Sequence, residues 1–201
     1  LGKGDRFQFA PRNRGFDGFF GYFGASGRYT DPILSRNGEE KPRSGYITDI
    51  LTDEACGFLR KKRGKPFFMH LAHMAAHLPQ EAKPADLARV SHLTGKRRTA
   101  AAIITNLDDN IGRLMGTLKD TGLDRETLVF FISDNGAEPP VLGTNNGPHR
   151  GMKFDVLEGG IRVPFAASWP GHIPKGEKFA PMVHVMDVFG TTLAAAGIPV
   201  P

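Results

Sequence analysis

Apolar positions along the chain fall into a few readable patterns. Between 98 and 119, Ile104, Leu107, Ile111, Leu114 and Leu118 recur at intervals of three and four. That spacing predicts one apolar stripe on a long helix, ended by Thr121-Gly122. Residues 46–63 predict a second helix, capped by Thr48 or Thr52 and broken by Gly64-Lys65-Pro66. Residues 182–196 predict a third, closed by Gly197. Short apolar runs at 66–72, 127–133 and 163–169, each bounded by breakers, predict buried strands. Residues 1–46 show no period and read as irregular, packed loop. Alternation of such strands and helices predicts an α/β fold, with right-handed crossovers and a largely parallel sheet flanked by helices.

Composition narrows the class without naming a function. The 201 residues are 40% hydrophobic and 23% charged, ordinary for a globular domain with a sizeable core. No apolar run approaches the roughly 18 residues needed to cross a bilayer, so no membrane span is expected. The net charge of +5 owes much to the runs at 60–65 and 96–98. The first suits the solvated end of a helix. No aromatics interleave with the charges, which argues against a nucleic-acid partner. The single cysteine, Cys56, sits in a helical pattern and reads as a buried structural thiol. The chain begins at Leu1 and ends on Gly197-Ile198-Pro199-Val200-Pro201, so a fragment truncated at both ends is expected.

Candidate chemistry gathers after the strand at 127–133. The run ends on Ser133-Asp134-Asn135-Gly136, which sets a carboxylate and a carboxamide at the carboxyl edge of a sheet, where open α/β folds keep their sites. Asp134 and Asn135 are hard oxygen donors suited to Ca²⁺ or Mg²⁺, although Asp-Asn-Gly is equally ordinary turn chemistry. Together they supply at most three oxygens, too few for such an ion alone. Asp108 and Asp109 beside Asn110 lie mid-helix and read as a solvated or locally paired face. Lys153 follows Gly147-Pro148-His149-Arg150-Gly151, a stretch able to approach a ligand closely, and offers a positive charge to a bound anion. His149 is a further candidate for substrate contact, although a surface role suits both it and Arg150. His77, beyond the run at 66–72, is placed to meet an oxyanion or protonate a leaving group. His70 alternates with apolar residues and is expected in the core; His73 is left open. The pattern suggests metal-assisted chemistry on a sulfate or phosphate ester.

Five segments, in order, resemble the formylglycine-dependent sulfatases of the alkaline-phosphatase-like superfamily. They are Gly15-Phe16-Asp17-Gly18-Phe19-Phe20-Gly21; the helix from Tyr46 to Ala55 before Pro66-Phe67-Phe68; Ala76-His77-Leu78-Pro79, with Ala76 where the family usually has proline; Ser133-Asp134-Asn135-Gly136; and Arg150-Gly151-Met152-Lys153 with Glu158-Gly159-Gly160-Ile161-Arg162-Val163-Pro164. Leu1-Gly2 is similar to the end of the family's Lys-Trp-His-Leu-Gly segment. The resemblance implies a partial catalytic domain over 1–201, with an incomplete alkaline-phosphatase/sulfatase-like fold.

It further implies Asp134 and Asn135 as metal ligands, with Ca²⁺ favoured over Mg²⁺. Lys153 would bind the sulfate and steady charge on the bridging oxygen, and His77 would contact the sulfate and help protonate the departing alcohol. The formylglycine nucleophile arises from a Cys or Ser in a Cys/Ser-x-Pro-x-Arg segment. This chain has none, so the nucleophile is expected outside it and the piece alone is expected to be inactive. A sulfated small molecule or glycan is the implied substrate, and the family is often periplasmic, secreted or lysosomal. Two other readings stay open: a phosphate or phosphonate monoester hydrolase of the same superfamily, and an inactive polyanion- or glycan-binding relative.

Overall fold

The computed structural model describes residues 9–24, 27–61 and 64–200. Leu1-Gly2, Lys62-Arg63 within the first basic run and Pro201 lie outside the described residues. The chain divides into two compact units, residues 1–117 with 139–144 and residues 118–138 with 145–201.

The first unit opens with a 3-10 turn at Pro11–Arg14 and a three-stranded antiparallel sheet, β1 (Phe20–Gly21), β2 (Ile33–Arg36) and β3 (Glu39–Pro42). The sheet lies where the apolar pattern predicts only loop. Its signal is not periodicity but Asn37-Gly38, both at positive φ (55° and 106°), the pairing that closes a two-residue hairpin. Helix α1 (Ile47–Arg60) follows. Its buried residues, Ile47, Thr48, Leu51, Thr52, Ala55, Cys56 and Leu59, fall on one face at helical spacing. The cap is Tyr46, whose side chain makes no capping bond, and Thr48 and Thr52 lie inside the helix. Thr52 Oγ1 donates back to the Thr48 carbonyl at 2.8 Å, the alternative open to a mid-helix threonine. Cys56 is buried, as expected.

Residues 66–72 form neither helix nor strand among the described residues and join no ladder. His70 is exposed rather than in the core, because without sheet partners alternate positions of the run are not covered. Phe67 packs edge-on against Phe58 at 5.6 Å between centroids. Helix α2 (Pro84–Arg89) leads into α3 (Gly95–Asp120), the long helix of the pattern, which begins three residues earlier than expected. The core of this unit joins Tyr29, Leu34, Tyr46, Ile47, Leu51, Met74 and Ile103. A polar network lies alongside it. Asp49 accepts hydrogen bonds from Lys83 (2.8 Å), Asn106 (3.1 Å) and Asn110 (2.8 Å). Burial pushes the Asp49 carboxyl up, yet these three donors together hold it below its ordinary value. Asn110 is therefore a buried partner rather than a solvated helix position, while Asp109 pairs with Arg89 as a surface residue does.

The second unit takes up the chain at the end of α3. Gly122 (φ 72°) sends its N–H to the Lys119 carbonyl, and Leu123 sends its own to Leu118, a Schellman closure. Strand β4 (Val129–Ile132) pairs with β5 (Phe165–Ser168), and Ile132 stands opposite Phe165. The α/β class is as expected. The strand direction differs, since all ladders among the described residues are antiparallel. The chain leaves β4 at Ile132 and re-enters β5 at the same end, so the connection cannot act as a crossover. Two one-turn helices interrupt the chain between these strands, α4 (Pro139–Leu142), which belongs to the first unit, and α5 (Glu158–Ile161). Helix α6 (Asp187–Ala195) is shorter than the expected 182–196 and ends in a second Schellman closure at Gly197.

Candidate functional site

All second-unit candidates sit on the loop 133–164, whose two ends are tied. Ser133 N–H donates to the Pro164 carbonyl at 3.1 Å, and Gly136 N–H to that of Gly160 at 2.8 Å. Glycines make this approach possible. A Cβ on Gly136 would overlap the carbonyl oxygen of Gly159, and one on Gly159 would overlap that of Gly151. Gly159 and Gly160 are buried accordingly. Glu158-Gly159-Gly160 is thus the backbone platform on which the Asp134-Asn135 turn rests.

Asp134 is exposed and Asn135 half-buried, directly after β4. Ser133 Oγ donates to the Asn135 carbonyl at 3.0 Å, which ties the turn to its own backbone. Lys153 is half-buried; its N–H donates to the Ala137 carbonyl at 3.1 Å, and its ammonium lies 5.3 Å from the Phe154 ring centroid. The structure therefore brings the backbone of Lys153 to a segment only two residues beyond Asn135. His149 Nδ1 lies 3.1 Å from Glu158 Oε2, and Arg162 approaches the same carboxylate at 3.1 Å. His149 and Arg162 thus share Glu158, a pairing that sequence spacing alone does not reveal.

Asn146 also escaped the sequence reading. Its Oδ1 accepts the Ala137 N–H at 2.9 Å, while its Nδ2 donates to the carbonyls of Ala137 (3.1 Å) and Gly151 (3.0 Å). The only available signal was Asn145-Asn146-Gly147, a turn signature, with Asn145 Oδ1 accepting the Gly147 N–H at 3.1 Å.

His77 belongs to the first unit. Its carbonyl accepts the Tyr29 hydroxyl at 3.0 Å, and its ring Nδ1 lies 2.9 Å from the Leu78 carbonyl. The peptides Ala75–Ala76 and Leu78–Pro79 on either side are cis. Tyr29 is completely buried against Tyr46, so the core itself holds the backbone of this histidine. His73, undecided from sequence, has a buried, unpartnered Nδ1; burial lowers its pKa to about 4.

The donor chemistry at Asp134 and Asn135 fits a hard, oxygen-seeking cation as a partial set. Among the described residues no cluster of three or more His, Cys, Asp or Glu gathers into a complete one. Nor is any helix among them long and apolar enough to cross a membrane.

The sequence model of the Sulfatase family matches residues 1–198. N-acetylgalactosamine-6-sulfatase of Sus scrofa is 36% identical over 98% of this chain, and sulfatase YdeN of Escherichia coli (strain K12) 34% identical over 96%. The crystal structure of Ps i-CgsB in complex with k-i-k-neocarrahexaose superposes with a TM-score of 0.91 at 33% identity, covering 96% of this chain and 48% of that one. The chain spans 41% and 35% of the length of the two curated relatives. With a glycine-platformed Asp-Asn turn, a lysine loop tied to it and a family match over nearly every residue, this chain belongs to the sulfatase family.

Proposed function

We propose that the protein to which this chain belongs hydrolyses sulfate monoesters, with residues 1–201 forming part of its catalytic domain. The observation that carries the reading is the joined geometry of the two loop segments, Asp134-Asn135 against Lys153, held by the Lys153 N–H to Ala137 carbonyl bond at 3.1 Å. A sulfate ester in its transition state gathers negative charge on the bridging and peripheral oxygens. Fixed cationic and hydrogen-bonding groups stabilise that charge more than they stabilise the ground state.

Within that frame Asp134 and Asn135 would hold a divalent cation, Ca²⁺ ahead of Mg²⁺, because their oxygens are hard and Ca²⁺ accepts irregular shells. The cation, when bound, would supply positive charge to the sulfate oxygens; its remaining ligands and the formylglycine nucleophile come from outside this chain. Lys153 binds the sulfate and neutralises charge on the oxygen that becomes the leaving alcohol. His77 contacts the sulfate and helps protonate that alcohol, its ring oriented by the contact of Nδ1 with the Leu78 carbonyl. His149 borders the site as a substrate contact tempered by Glu158.

A sulfated glycan is the substrate class best supported. The pig relative is named for a sulfated N-acetylgalactosamine, and the superposed Ps i-CgsB structure holds a neocarrahexaose. The test is to compare hydrolysis of an aryl sulfate, an aryl phosphate and a sulfated galactosamine glycan by the full-length protein, before and after chelation. Sulfate release that chelation abolishes is expected. Faster phosphate release would place the protein with the phosphate monoester hydrolases instead.

A further inference from the structure

We propose that Asn146 is a positioning residue of this site, setting the reach of Lys153 by locking two loop segments together; the proposal rests on the sulfatase reading. Asn146 uses its whole carboxamide. Oδ1 takes the Ala137 N–H (2.9 Å), and Nδ2 gives to the Ala137 carbonyl (3.1 Å) and the Gly151 carbonyl (3.0 Å). Only one orientation of the amide serves these partners, since the acceptor must face an N–H and the donor two carbonyls. Ala137 in turn receives the Lys153 N–H (3.1 Å).

The consequence is a closed circuit. Ala137 lies two residues beyond Asn135 and Gly151 two residues before Lys153, and one side chain spans both. Glycines on the far side prevent adjustment. Gly151 sits at φ 94° with Leu157 Cβ 2.7 Å from where its own Cβ would be, and its carbonyl is also the surface on which Gly159 rests. With Gly151 fixed, the start of the Lys153 side chain is fixed as well. A displacement of about 1 Å in a group that meets developing charge costs on the order of a hundredfold in rate. No chemistry is assigned to Asn146 itself, whose polar atoms are all engaged by backbone.

The test uses the full-length protein and an activated aryl sulfate, so that slow variants remain measurable. Asn146→Asp keeps the size and the acceptor but turns the two donor contacts into repulsion with carbonyl oxygens; Asn146→Ala removes all three bonds. Either substitution is expected to lower kcat/KM about tenfold to a hundredfold. The decisive arm repeats each change in a Lys153→Ala background, where it is expected to cost less than about twofold, because the group it positions is gone. Amide hydrogen exchange should speed up at 136–138 and 151–154 while α1 and α3 stay protected. A variant with wild-type kcat/KM and unchanged exchange overturns the proposal, as does an equal further loss in the Lys153→Ala background, which marks a merely structural asparagine. If the wild-type protein itself releases no sulfate, the functional reading fails and this inference falls with it, a result distinct from either of the others.

Discussion

Around α1, side chains decide the packing: Ile47, Leu51, Ala55 and Leu59 are buried on one face, with Ile47 and Leu51 packed among Tyr29, Tyr46 and Ile103, and the backbone merely repeats. Between β4 and β5 the roles reverse. There Gly136, Gly151, Gly159 and Gly160 bring backbone against backbone, and a single carboxamide closes the contacts. The first region tolerates change in proportion to volume lost, because a packed core relaxes by degrees. The second has no such gradation. A loop that touches itself through carbonyl oxygens either closes or does not, and with it goes the relation between Asp134 and Lys153.

The contrast is sharpest in the effects on turnover. Lys153→Ala in the full-length protein is expected to lower kcat/KM by about a hundredfold to a thousandfold. Gly136→Ala should do as much, since its new methyl overlaps the Gly159 carbonyl. Both should leave the α1 and α3 amides as protected as before, which hydrogen exchange reads directly. Equal loss of protection there would mean that the two regions are one cooperative block and break the comparison.

Ile47→Ala tests the other side. A completely buried isoleucine cut to alanine typically costs about 2 to 5 kcal/mol. Denaturant unfolding should show that loss, while kcat per folded molecule stays within about twofold.

Acid supplies a third probe, centred on His73. Its folded pKa of about 4 lies below the ordinary 6.5 because burial penalises the charged ring. The unfolded chain therefore binds the proton more readily. Stability from this group is full above pH 6.5 and is lost as the pH falls from 6.5 toward 4, on the order of 3 kcal/mol in all. Unfolding free energies measured across that window should slope upward with pH, and His73→Leu should flatten the slope.

The smallest effect is a gain. Gly57 lies in α1 with no atom within 4 Å of the place a methyl group would take, so Gly57→Ala is expected to stabilise by roughly 0.5 to 1 kcal/mol. Opposite signs for Gly57→Ala and Gly136→Ala would state the comparison in one pair of melting curves.

What the sequence determined by itself was whatever a local rule governs. The long helix was legible because Ile104, Leu107, Ile111, Leu114 and Leu118 repeat at its pitch, and its end because Gly122 can take the left-handed conformation a Schellman closure needs. Strands β4 and β5 were legible as bounded apolar runs, and the family from five short segments in order. The β2–β3 hairpin was written in Asn37-Gly38 but hidden from any reading by apolar period.

Only the tertiary structure decided the rest. The direction of β5 depends on which end of β4 the chain returns to, and no residue type encodes that. His70 came out exposed because a strand pattern buries nothing without neighbours to cover it. The threonines expected to cap α1 lie inside it, and the asparagine of the acidic run is buried against Asp49. Asn146, Glu158 and Tyr29 matter through partners 5 to 48 residues away in the chain. Such bonds form only after the loops between them have been brought together and their closure entropy met, so their meaning lies in the fold and not in spacing.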